Sequence, residues 1–61
     1  MTIDDMLVSA FDAGRSVSLE SDTEKQVFWR EQWHRVCAVF LNCGASAALL
    51  HDAFNRGRAS V

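Results

Sequence analysis

One unbroken stretch governs what this chain can fold into. From Thr23 to Cys43, TEKQVFWREQWHRVCAVFLNC, it contains neither proline nor glycine, and it holds both tryptophans and two of the four phenylalanines of a 61-residue chain. Trp29, Trp33, Val36, Cys37 and Phe40 recur in it at steps of three and four, the spacing that stacks side chains on one face of an α-helix. Ser21 followed by Glu24 has the form of a capping box, which satisfies the backbone donors that a first turn leaves open. Gly44 supplies the stop, because glycine takes the left-handed conformation that closes a helix at little cost. The spacing predicts a helix over 22–43, a rod of roughly 30 Å at about 1.5 Å per residue. In so short a chain, such a rod has to be covered by the segments on either side of it.

The apolar content of this helix exceeds one stripe. Phe28 and Val39 lie on a second line with Gln32 and Arg35 between them, while Val27, Ala38 and Leu41 widen the first face. If the first face meets the rest of the chain, the second is left for a partner. A second copy of the chain is the expected occupant, paired about a two-fold axis through Phe28, Gln32, Arg35 and Val39 with Glu31 at the rim.

The flanks read as shorter helices. Ile3, Met6, Leu7, Ala10 and Phe11 follow a helical spacing after Thr2, and Asp4 and Asp5 stand where negative charge favours a helix start. This helix is expected over 3–13, ending at Gly14, with RSVSLE at 15–20 as an extended link. After Gly44, Ser46 is a candidate cap for a third helix, expected over 46–56 on Leu49, Leu50, Ala53 and Phe54. The tail after Phe54 is expected to fray. The three glycines, at 14, 44 and 57, thus read as punctuation between segments. The expected fold is all-α: one small domain over 1–61, a long central helix with two short helices folded against it, and a dimer.

Composition narrows the classes further. Nearly half of the residues are hydrophobic and charged ones are moderate, unlike a disordered tail. Cys37 and Cys43 are too far apart along one helix to bridge, so both are read as free thiols of a cytoplasmic protein. The longest nearly uncharged run, Val36 to Leu50, is broken by Asn42, Gly44 and Ser46; a spanning helix needs about 20 apolar residues, and no membrane role is expected. The net charge of −2 is unevenly placed: residues 1–24 set one base, Arg15, against six acids, whereas residues 25–61 set five bases against Glu31 and Asp52. Packing of the acidic segment near the basic one, within a subunit or across a dimer, is the expected consequence.

Phosphate-binding glycine loops, nucleophile elbows, paired Cys-x-x-Cys and His-Glu-x-x-His motifs do not occur in the sequence. His34, Cys37, Cys43 and His51 are of zinc-binding type, but the close cysteine pair of structural zinc sites is missing and Cys37 falls in the apolar stripe. A non-catalytic chain without metal or cofactor is expected.

Two resemblances suggest roles. The stretch LNCGASAALLHDAFNRGR, from Leu41 onward, resembles the turn and second helix of helix-turn-helix proteins, with Gly44, Ala45 and Ser46 at the turn and Leu50, Ala53 and Phe54 at the buried positions. That resemblance implies a DNA-binding regulator using residues 36–58, with Ser46, Arg56 and Arg58 as contacts. It departs from the family at Phe40, where a small residue is usual, and at Ala47 and Ala48, which offer nothing to base edges. In size and acidic helical character the chain is similar to the small accessory proteins of bacteriophage early regions, which implies action by binding a host or regulatory protein. The clustered Phe28, Trp29, Arg30, Trp33 and Arg35 are the residue types that dominate binding hot spots. The expected function is therefore a protein-protein interaction module with a regulatory or accessory role.

Overall fold

The computed structural model describes residues 2–61 and consists of three helices: α1 (Ile3–Leu19), α2 (Thr23–Asn42) and α3 (Ala47–Ala59). The all-α expectation holds, and among the described residues there is no strand. Each helix starts at a polar cap. Thr2 caps α1 through a reciprocal box: its hydroxyl accepts from the Asp5 N–H at 3.2 Å, and the Asp5 carboxylate accepts from the Thr2 N–H at 3.2 Å. For α2 the cap is Asp22, one residue beyond the expected Ser21; its Oδ1 accepts from the N–H groups of Glu24 and Lys25. Ser46 caps α3 as the sequence suggests, accepting from the Leu49 N–H at 3.4 Å.

Gly44 ends α2 as expected, with φ of 96°. The Gly44 N–H donates to the Leu41 carbonyl and the Ala45 N–H reaches back to that of Phe40, both at 3.1 Å. This is the paired bonding of a Schellman motif, and buried Ala45 supplies its apolar contact. With Ser46 immediately following as a cap, the chain reverses in four residues.

The other two glycines do not punctuate. Gly14 lies inside α1 and Gly57 inside α3, and neither has a positive φ. Helix α1 therefore runs on to Leu19 in place of the expected stop and extended link. Helix α3 runs past the expected 56 to Ala59, so the backbone of most of the tail is helical. Both extensions have one cause. A methyl group on Gly14 would overlap the backbone carbonyl oxygen of Phe54, and a methyl on Gly57 would overlap that of Phe11. Two backbones meet where only hydrogen fits, and glycine Cα–H groups point at carbonyl oxygens, contacts worth about 0.5–1 kcal/mol each. Beyond the crossing, buried Val17 continues the α1 stripe and the Ser18 hydroxyl donates to the Arg58 carbonyl at 2.9 Å.

The packing centre also differs from expectation. Although α2 is the longest helix, the most extensive contact is between α1 and α3, with α2 resting chiefly on α1. Helix α2 runs antiparallel to α1, and α3 returns parallel to α1. The core gathers Met6, Ala10 and Val17 of α1, Trp33, Cys37 and Phe40 of α2, and Leu50 and Phe54 of α3. Leu50 is completely enclosed, and burying an aliphatic or phenyl side chain of this kind contributes about 1.5–3 kcal/mol. No helix among the described residues is long and apolar enough to cross a membrane.

Candidate interaction surfaces

Helix α2 meets the rest of the chain through a single strip. Trp33 reaches past α1 to stack on Phe54, with centroids 5.3 Å apart and planes within 9°, and it meets Phe40 edge-on at 6.4 Å. One turn earlier, Trp29 is 45% exposed although its spacing placed it in the core stripe; Val36 is exposed as well. The reason lies across from them. Opposite Trp29 and Val36, α1 presents Ser9, Asp12, Ala13 and Ser16, side chains too short to close over an indole, which leaves a groove of about 300 Å³.

The residues of the expected partner face divide in two. Phe28, Arg35 and Val39 are exposed, as is Glu31, whereas Gln32 is half-buried and lines the groove between α1 and α2. Phe28 packs edge-on against Trp29 at 5.2 Å. The outer surface of α2 thus carries Phe28 and Val39, and Phe28 joins it to Trp29 at the edge of the groove that Val36 also lines.

The residues expected to contact nucleic acid are placed as follows. The Ser46 hydroxyl is engaged in capping α3, and Arg56 pairs with Asp52 at 2.9 Å, the only ion pair among the described residues. Arg58 is exposed. The acidic and basic segments do pack together, through α1 and α3, but because these helices run parallel, Asp4 and Asp5 lie in the first turn of one while Arg56 and Arg58 lie in the last turn of the other, and among the described residues no ion pair joins the two segments. Each group instead complements the dipole of its own helix. Hydrogen bonds from Thr2, that of its backbone first and of its side chain second, hold the Asp5 carboxyl below its ordinary pKa.

Cys37 is buried and Cys43, at the C-cap of α2, is exposed; both are free thiols. Among the described residues no group of three or more His, Cys, Asp or Glu side chains is placed to hold a metal ion. His34, Cys37, Cys43 and His51 are accordingly not brought together.

A second surface escaped sequence reasoning. The glycine contacts are reciprocal: Gly14 meets the Phe54 carbonyl and the Arg58 amide, and Gly57 meets the Phe11 carbonyl and the Arg15 amide. Exchanging α1 for α3 reproduces the contact. The sequence contains the same symmetry, since LVSAFDAGRS at 7–16 recurs as LHDAFNRGRA at 50–59, with Leu, Ala, Phe, Gly and Arg at matching places. A search for internal repeats would have found this signal. The parallel pair therefore has two related faces. One is covered by α2, and the other is a groove of about 480 Å³ whose floor includes Leu7, Phe11, Leu49 and Ala53. Comparison with protein-family models, with curated proteins and with solved structures finds no match for the chain.

Proposed function

We propose that the chain is a small non-catalytic interaction module of regulatory or accessory character, acting in the cytoplasm by binding another protein, and that it pairs with a second copy along the outer face of α2. The observation that supports this reading is the exposed aromatic pair Phe28–Trp29, continued by Val39, which is 59% exposed, on a helix that meets the core only through Trp33, Cys37 and Phe40. Total exposed area is 4200 Å², close to the roughly 4,000 Å² typical of a monomer of 6.8 kDa. The case for a partner therefore rests on the character of the exposed atoms, not on their amount. A two-fold pairing sets Phe28, Arg35 and Val39 against their own copies, with half-buried Gln32 at the edge toward α1 and Glu31 meeting Arg35 at the rim in a contact worth about 0–1 kcal/mol.

Sedimentation equilibrium tests the pairing. Phe28→Asp is expected to weaken the dimer more than about tenfold, and Glu31→Ala by much less. A wild-type chain that remains monomeric up to about 1 mM would remove the dimer. Capture of one protein from a bacterial lysate, unaffected by nuclease and lost in Phe28→Asp, is the outcome expected of the module. Capture that depends on DNA, falls with salt and is lost with Arg56→Ala and Arg58→Ala would replace it with a DNA-binding role.

A further inference from the structure

The open groove on the far side of the α1–α3 pair is the repeat-related copy of the seat that α2 occupies. Matching the two repeats carries Leu50 onto Leu7, Phe54 onto Phe11, Met6 onto Leu49, Ala10 onto Ala53, Ser9 onto Asp52 and Ala13 onto Arg56. On the covered side, Met6, Ala10, Leu50 and Phe54 join Trp33 in the core, and Ser9 and Ala13 flank it. On the open side, the six counterparts, together with Val8, form the lining of the groove. The shape that receives a tryptophan-bearing helix is thus presented twice and filled once.

From this geometry we infer that the open groove docks an amphipathic helix of another protein, antiparallel to α1 and α3, with a tryptophan or phenylalanine stacked on Phe11 as Trp33 stacks on Phe54. Charge specifies the occupant further. The two positions that differ most between the seats are Arg56 in place of Ala13 and Asp52 in place of Ser9. On the covered side Gln32 and Val36 line the cavity with Ala13 and Ser9, in antiparallel order. Arg56 and Asp52 pair with each other at 2.9 Å while both side chains stay more than half exposed, so a complementary occupant extends that pair, with a carboxylate where α2 has Gln32 and a base where α2 has Val36. Its negative end then lies toward Arg15, Arg56 and Arg58 and its positive end toward Asp4 and Asp5, an order that also suits its own helix dipole. A second copy offering its α2 does not fit this role. Helix α2 and the groove lie on opposite sides of the molecule, so that contact would be head-to-tail and would not close as a two-fold dimer.

The inference deepens the interaction-module reading and rests on it, but it concerns a different surface. The test adds a synthetic peptide of residues 20–43 carrying Gln32→Glu and Val36→Lys to the full-length chain, with binding followed by amide chemical shifts. Shifts are expected at Leu7, Phe11, Leu49 and Ala53. Affinity is expected to fall at least about tenfold with Leu49→Asp in the chain, with Trp33→Ala in the peptide, or with the peptide charges reversed to Gln32→Lys and Val36→Glu. Val8→Asp, also at an exposed position, serves if Leu49→Asp fails to fold. Binding that survives Phe28→Asp in the chain separates this groove from the α2 face. Absence of binding up to about 1 mM overturns the inference. So do equal affinities for the two charge patterns, shifts centred on Met6, Ala10 and Leu50 that report displacement of α2, or self-association of the chain that Leu49→Asp abolishes.

Discussion

The two faces of the α1–α3 pair are built from the same repeated residues yet are buried differently. On the covered face Leu50 is 0% exposed and Phe54 is 8% exposed; on the open face their counterparts Leu7 and Phe11 are only half-buried. The repeat alone does not set burial, since Leu and Phe stand at equivalent places in both halves. What differs is the position of α2, which the antiparallel turn at 20–22 lays against α1 and which then sends Trp33 across to Phe54. A short symmetric pair with one shared cover necessarily leaves the second face half-finished.

The largest expected effect breaks both faces together. Gly14→Ala or Gly57→Ala places a methyl on a backbone carbonyl that cannot rotate away, so the helices must separate along the whole pair. We expect a loss of more than about 3 kcal/mol, enough to unfold much of so small a domain, seen as loss of far-UV helix signal and of a cooperative thermal transition. Near-normal stability of Gly14→Ala would show that the two backbones do not touch at Gly14 in solution. Gly44→Ala provides the contrast: there is open space around it, and only its φ of 96° is strained, so a loss of about 1–2 kcal/mol is expected.

Next in size is the contrast between faces. Phe54→Ala removes the ring beneath Trp33 and should cost about 3–5 kcal/mol, whereas half-buried Phe11→Ala should cost clearly less, about 1–2 kcal/mol. Urea titrations of the two variants measure the difference, and equal costs would mean that the open face is covered in solution. Smaller again is the cap of α1. Thr2→Ala removes one half of the reciprocal box with Asp5 and should cost about 1 kcal/mol, comparable to Ser46→Ala on α3.

The smallest effect is a pH dependence at the same cap. Because the Asp5 carboxyl is held below its ordinary pKa in the folded chain, its contribution to stability is present above the unfolded value of about 3.9 and is lost as pH falls through the lower folded value. The wild-type chain should therefore lose stability more steeply with acidification below about pH 4 than Asp5→Asn does. Parallel acid profiles for the two would remove the box from the account.

The functional surfaces were legible to different degrees. Phe28 and Val39 fall on a second helical line that no short chain can cover, so their exposure follows from periodicity and length. Trp29 does not follow in this way: its spacing matches Trp33, and only the short side chains of Ser9, Ala13 and Ser16 across from it leave the ring half exposed. The groove at Phe11 needed the internal repeat to be noticed and the parallel direction of α3 to be known.

Local sequence by itself determined where the helices begin and how α2 ends. Thr2, Asp22 and Ser46 each offer an oxygen to open backbone donors within three residues, and Gly44 reaches the left-handed region without steric penalty. Those are contacts between near neighbours, so no distant partner is needed to specify them. Tertiary structure alone decided the role of Gly14 and Gly57. A glycine permits a helix to stop and equally permits another backbone to approach, and here each is held inside its helix because the carbonyl of the other fills the space that a side chain would take. The same crossing carries α1 to Leu19 and α3 to Ala59, and the side on which α2 comes to rest decides which of two equivalent phenylalanines is enclosed.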